Sequence, residues 1–230
     1  MLHKNHISQI QIYSEEWHQF RRGKMTSSRI NTIMAPKGIG DGGLSYIMHK
    51  VGETLTGHTT DEGDEIEDEN TVWGIQYEPE AIKHFCDDLK IQYLVSQKLI
   101  SAPDSHFSST PDAIWVKGIC ENQEEYNVST LEVKCPRKYA RFIPLFRCNT
   151  PQDVKDYSRV YYWQVLDQMD NCGSAVGYFG VYHPLFPPHS NRKIIEFKKM
   201  DLWDDFKLLK ERKLQAVQLF EEMRAEFVLK

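Results

Sequence analysis

Residues 175–183 read Ala-Val-Gly-Tyr-Phe-Gly-Val-Tyr-His, apolar or aromatic almost throughout and free of Asp, Glu, Lys and Arg. A run this short and this rich in β-branched and aromatic side chains reads as a buried strand. Such a strand needs partners in a sheet. Residues 92–100, 107–109, 113–116, 128–134 and 193–198 are candidate strands, with a polar turn between Gly118 and Asn127. Helical spacing surrounds them. Ser14 is placed to cap a short helix through Phe20, and Ser27 or Ser28 to cap one carrying Ile30, Ile33 and Met34. Residues 38–43 read as a glycine-rich turn and 44–55 as a helix. Residues 72–89 read as a long amphipathic helix in which Pro79 implies a kink or a start. Residues 157–169 form an aromatic-rich helix, and Asp201 is placed to cap a terminal helix to about Phe227. The order predicts an α/β (α+β) fold with a central mixed sheet flanked by helices, as a single domain over residues 1–230.

Composition narrows the class. The chain has 230 residues, 40% hydrophobic and 27% charged, with net charge −5. That is globular composition, which excludes collagen-like, coiled-coil and wholly disordered chains. No apolar run approaches the ~20 residues that span a bilayer, and residues 1–11 lack the apolar stretch of a signal peptide. A soluble, cytoplasmic protein without membrane contact is expected. The five cysteines (86, 120, 135, 148 and 172) form no C-x-x-C pair and read as free, mostly buried thiols. The nine histidines have no metal-ligand spacing. Seven of the 33 acids lie in residues 61–69, which read as a solvated loop; outside it 28 bases face 26 acids. Two stretches, 18–29 (Arg21, Arg22, Lys24, Arg29) and 134–147 (Lys134, Arg137, Lys138, Arg141, Arg147), carry no acid at all. Local basic clusters are what a polyanion feels at close range.

The chemistry concentrates in Ser109-Thr110-Pro111-Asp112-Ala113 and Leu131-Glu132-Val133-Lys134-Cys135-Pro136. Carboxylates from two neighbouring strands, Asp112 and Glu132, can converge on one hard cation such as Mg²⁺, with the Val133 carbonyl as a further oxygen. Period two puts Glu132 and Lys134 on one face, roughly 7 Å apart. A lysine there can orient or deprotonate an attacking water and stabilise charge on phosphorus. The triplet E-x-K is not specific: it recurs at Glu196–Lys198 and at Glu211–Lys213, the latter on a charged helix where solvation is expected. Only the first follows a Pro-Asp at strand-pair distance.

Three further runs are informative: Trp17-His18-Gln19-Phe20-Arg21-Arg22-Gly23-Lys24-Met25-Thr26-Ser27-Ser28, Trp73-Gly74-Ile75-Gln76-Tyr77-Glu78-Pro79-Glu80-Ala81, and Tyr161-Tyr162-Trp163-Gln164-Val165-Leu166-Asp167-Gln168-Met169. With the two segments above, in this order and spacing, the chain resembles the lambda exonuclease (YqaJ-like viral recombinase, phage alkaline exonuclease) family of the PD-(D/E)xK nuclease superfamily, over residues 17–199. The resemblance implies a restriction-endonuclease-like domain. It implies a Mg²⁺-dependent 5′→3′ exonuclease on linear double-stranded DNA, with Mn²⁺ able to substitute. Such an enzyme releases 5′-mononucleotides and leaves a 3′ overhang for recombination. It implies Asp112, Glu132 and the Val133 carbonyl as metal ligands, Lys134 as the catalytic lysine, Glu78 as a helix glutamate contacting the metal site, and Gln164 as a positioning amide. Arg21 and Ser28 match the pocket for the DNA 5′-phosphate. A homotrimeric ring, a phage-type single-strand annealing partner and the host-cell cytoplasm also follow from it. The family's second glutamine of Gln-Val-Gln is Leu166 here, and Arg137, Lys138 and Arg141 remain open as the DNA grip after Lys134. A PD-(D/E)xK endonuclease, site-specific or junction-resolving, is the alternative enzyme, with no use for an end pocket. A non-catalytic DNA-end-binding recruitment module is the alternative class.

Overall fold

The computed structural model describes residues 1–59, 69–91, 94–96, 98–102, 105–116 and 125–228. In chain order the elements are β1 (Leu2–His3), α1 (Glu15–Arg21), β2 (Met25–Thr26), a 3₁₀ helix (Ser27–Ile33), α2 (Gly40–Thr56), α3 (Glu69–Asp88), β3 (Leu94–Ser96), β4 (Phe107–Ser108), β5 (Ala113–Val116), β6 (Glu125–Tyr126), β7 (Val128–Lys134), α4 (Tyr139–Phe146), α5 (Pro151–Tyr157), α6 (Arg159–Asn171), β8 (Val176–Tyr182), β9 (Arg192–Lys198) and α7 (Trp203–Val228). A five-stranded mixed sheet runs β3-β5-β7-β8-β9. All its pairs are antiparallel except β7 with β8. Parallel neighbours need a long crossover, here α4, α5 and α6. The expected mixed sheet flanked by helices is what the chain forms.

The apolar run at residues 175–183 forms β8, second from one edge and covered on both faces. On one face Tyr178 and Tyr182 join Trp115, Leu131 and Val133 beneath Ala81, Ile82 and Phe85 of α3. On the other, Phe179 and Val181 pack with Tyr162, Trp163 and Met169 of α6 and Phe206, Leu209 and Phe220 of α7. The aromatics Trp163, Tyr178, Phe179 and Tyr182 therefore serve packing, as their spacing suggests. Gly180 permits the close approach of α3: a Cβ there would lie 2.5 Å from the Phe85 ring.

Several boundaries shift for local reasons. Ser14 caps α1 as expected, accepting from the Trp17 N–H. The next turn is 3₁₀ and its cap position is Thr26, with no side-chain capping bond. Ser27 instead donates to Asp167 Oδ2 at 2.6 Å. Residues 40–43, read as part of a turn, already belong to α2. α3 runs through Pro79 without a break. The helix read over 157–169 is α6, which starts at Arg159 and is capped by Ser158, extended at φ −150°; α5, unread in the sequence, precedes it, with a capping box of Thr150 and Asp153 at its start. α7 begins at Trp203, so Leu202 and not Asp201 holds the cap position. α4, unread in the sequence, has its apolar spacing interrupted by Pro144. The acidic stretch 61–68 and most of the polar turn, 117–124, lie outside the described residues, as does Cys120. Cys86, Cys135, Cys148 and Cys172 are free thiols.

Candidate active site

Asp112 ends the loop into β5, and Glu132, Val133 and Lys134 close β7 beside it, since Ala113 pairs with Leu131. The Val133 N–H donates to Asp112 Oδ2 at 2.6 Å. A strand residue's N–H and C=O point to the same side, so the Val133 carbonyl also faces the Asp112 edge. Glu132 and Lys134 share the opposite face from Leu131 and Val133, as period two requires. Glu132 is 2% exposed and its carboxylate is held by three donors. Gln164 Nε2 donates to Oε1 at 2.6 Å, Gln168 Nε2 to Oε2 at 2.5 Å, and the Lys134 ammonium pairs with Oε1. A carboxylate has about four acceptor positions, which leaves one on the Oε2 side.

Gln168 was not singled out from the sequence. Its signal is the i, i+4 spacing from Gln164, which puts both amides on one face of α6. Position 166 points about 200° away, so Leu166 is in the core, 0% exposed, and Gln168 supplies the second amide.

The electrostatics follow from crowding. Burial, then the Glu132 and Glu78 carboxylates, push Asp112 well above the ordinary aspartate range. Burial alone would lower Lys134, but Glu132 and Asp112 outweigh it and raise the ammonium's pKa. Burial, then the Glu78 and Asp112 carboxylates, raise the neighbouring Cys135 thiol, which stays protonated and unreactive. Among the described residues no three His, Cys, Asp or Glu side chains form a metal cage. The donor set is two carboxylates and a carbonyl, which suits a hard cation that keeps several waters. The mutual repulsion that raises Asp112 is what such a cation relieves.

The remaining candidates come from two other directions. β2 pairs in parallel with β4, which draws the Arg21–Ser28 segment against the strand that leads to Asp112. Arg21, the last residue of α1, lies with its guanidinium 3.9 Å over the Trp17 ring. Ser28 Oγ is 3.2 Å from Thr26 Oγ1. α3 brings Glu78 from the other side. Arg21, Ser28, Glu78, Asp112 and Gln164 line one cavity of ≈ 150 Å³. Val133, Lys134, Arg137 and Arg141 line a second of ≈ 380 Å³. Tyr13 and Glu78 border both. Arg137 also pairs with Glu69, the last acid of the acidic stretch. Lys138 lines neither cavity. Of the sequence's candidates, Arg21, Ser28, Glu78, Asp112 and Gln164 thus border the first cavity and Val133, Lys134, Arg137 and Arg141 the second, while Glu132 lines neither and is bonded to Gln164 of the first and Lys134 of the second.

The other two E-x-K triplets differ. Glu196–Lys198 is an exposed surface pair at 3.0 Å. Lys213 is not solvated as expected: its side chain is 11% exposed and reaches buried Asp167 at 2.9 Å and Asp170 at 3.0 Å.

A family model described as the YqaJ-like viral recombinase domain matches residues 16–174. Among solved structures the chain is similar to an alkaline exonuclease, LHK-Exo, from Laribacter hongkongensis, 18% identical, with a TM-score of 0.64 over 93% of this chain and 97% of that one. LHK-Exo in complex with dAMP gives 19% and 0.66 over the same shares. A phage-related exonuclease from Haemophilus somnus 129PT gives 15% and 0.62 over 89% of this chain and 96% of that one. At these identities the likeness establishes the fold. No curated protein matches the sequence. The family match runs from the helix that bears Arg21, through both carboxylates, to the helix that bears Gln164 and Gln168, and the chain belongs to the YqaJ-like viral recombinase domain family.

Proposed function

We propose that the chain is a Mg²⁺-dependent exonuclease that degrades one strand of linear double-stranded DNA 5′→3′, releasing 5′-mononucleotides and leaving a 3′ overhang for strand annealing. One observation carries the reading: Arg21 and Ser28 line the same cavity as Asp112, Glu78 and Gln164. A guanidinium and a hydroxyl at a helix start suit a terminal phosphate, and cutting within a duplex has no need of them. Of the similar structures, one alkaline exonuclease holds dAMP, a mononucleotide, which agrees with this product.

Asp112, Glu132 and the Val133 carbonyl are the residues to hold Mg²⁺ or Mn²⁺, with Glu78 contacting the site through water. When bound, the ion polarises the phosphate and acidifies water. Gln164 and Gln168 keep Glu132 oriented. Lys134, paired with Glu132, is placed to orient or deprotonate the attacking water and to stabilise charge on the phosphate. Arg137 and Arg141, beside Lys134 in the larger cavity, grip the DNA backbone. A homotrimer, a phage-type single-strand annealing partner and action in the host cytoplasm complete the proposal. Membership of a viral recombinase family supports them. No described helix is long and apolar enough to cross a membrane.

The test is hydrolysis of end-labelled linear duplex, with and without 5′-phosphate, beside a covalently closed circle, with Glu132→Ala as blank. Mononucleotides from the phosphorylated linear duplex alone are expected, and Arg21→Ala should erase the preference for phosphate over hydroxyl ends. Cutting of the circle moves the reading to an endonuclease. End binding without hydrolysis leaves a recruitment module.

A further inference from the structure

Tyr13 holds a backbone conformation that its side chain disfavours. Its φ is +61°, in the left-handed region that a bulky L-residue rarely enters. Strain of this kind persists only where the surroundings impose it, and it gathers at ligand sites. Ser14 fixes the start of α1 one residue later, so the reversal at Tyr13 folds the ring back over its own helix. There it meets Trp17, centroid to centroid 5.4 Å at 55°, on the same ring system that carries Arg21. Yet Tyr13 remains 60% exposed. It borders both cavities, between Arg21 and Ser28 on one side and Lys134 and Arg141 on the other. Burial and the nearby Glu78 and Asp112 carboxylates raise its hydroxyl pKa, so the phenol stays neutral beside a phosphodiester.

We propose that the Tyr13 ring is a stacking platform for the 5′-terminal base of the strand being degraded. The proposal rests on the exonuclease reading above. Every base has a π-face, so an aromatic platform accepts successive terminal nucleotides whatever their sequence. The strained turn aims the ring at the junction of the two cavities, where the terminal nucleotide lies when its phosphate is on Arg21 and its 3′ bond is at the carboxylates. The structural alternative is a staple, in which Tyr13 merely packs on Trp17 to fix the entry to α1.

Tyr13→Ala, Tyr13→Gly and Tyr13→Phe separate the two. The probe is a 5′-phosphorylated duplex with 2-aminopurine as its terminal base. Its fluorescence is read on binding in a Glu132→Ala background, and KM and kcat are read in the otherwise unaltered chain. The Ala and Gly variants should lose the 2-aminopurine quenching and raise KM about tenfold with kcat little changed, and Tyr13→Phe should rescue both. Tyr13→Gly should melt about 2–4 °C above Tyr13→Ala, reporting the strain in solution. Parental KM and quenching in Tyr13→Ala overturn the proposal in favour of the staple. Equal loss in Tyr13→Phe also overturns it, moving the role to the hydroxyl. A parent chain that does not hydrolyse linear duplex overturns both this proposal and the exonuclease reading, whereas normal parental hydrolysis with an unaffected Tyr13→Ala overturns this one alone.

Discussion

Glu132 sits in a cage of three donors, and each has a different consequence if removed. Lys134 supplies charge, whereas Gln164 and Gln168 supply direction. Gln168→Leu leaves Oε2 without its amide and should lower kcat about 10- to 100-fold with a weakened response to Mg²⁺, as loss of an outer partner of a metal ligand does. Steady-state kinetics across a Mg²⁺ titration would show it, and an unchanged Mg²⁺ midpoint would refute it. A second buried carboxylate, Glu53, holds the turn that follows Arg21. It accepts from the Gly23 N–H at 2.7 Å, from Lys50 at 2.9 Å and from Thr59 at 2.9 Å. Burial raises its pKa, but these donors win and leave it below the ordinary glutamate value. A lowered folded pKa means stability that is present above the unfolded pKa and lost as pH falls through the folded one. Glu53→Gln should therefore cost about 2 kcal/mol at pH 7, and the gap should close below about pH 4. Paired thermal melts from pH 7 to pH 3 would test this; a gap that stays constant with pH would count against the charge-based account.

Elements carry the site only through their packing angles. α3 presents Glu78 because Phe85, two turns on, packs close against the glycine at position 180. Gly180→Ala puts a methyl into that ring and should destabilise by about 1–3 kcal/mol, a Tm loss of roughly 3–8 °C. Because α3 must shift to relieve the clash, kcat should fall as well, and Gly180→Ala with Phe85→Leu should recover part of both. Additive losses in the double variant would show that the ring is not the obstacle. α3 itself was readable from its amphipathic spacing. That it tolerates Pro79 was not, because the burial of Ala81, Ile82 and Phe85 outweighs one lost backbone bond. The helix read over 157–169 forms as α6, two residues later at its start because Ser158 ends α5 and caps α6 there.

Across the molecule, α7 closes the core behind the site. Lys213 joins it to α6 through Asp167, which is 0% exposed and also receives Ser27 from the 3₁₀ helix. One ion pair thus links the terminal helix, the glutamine-bearing helix and the segment that carries Ser28. Lys213→Ala strands a buried carboxylate and should cost about 3–5 kcal/mol. Lys198→Ala, in the exposed Glu196 pair, should leave stability nearly unchanged. Urea unfolding of the two variants would distinguish them, and similar midpoints would contradict the buried-pair account. Both lysines stand in E-x-K triplets, so the sequence pattern makes them equal and the packing makes them different.

By itself the sequence determined the strands of the five-stranded sheet, most of the helices, and the alternation that puts Glu132 and Lys134 together. These depend on short-range periodicity, which residue order encodes directly. It also displayed the motifs that identify the family. Only the tertiary structure decided that Gln168 joins Gln164 on Glu132, that Lys213 is buried, that Ser27 serves Asp167 rather than a cap, and that Tyr13 is turned back over α1. Each of these depends on a partner far along the chain or on a backbone reversal, and no local spacing specifies which distant group a side chain will meet.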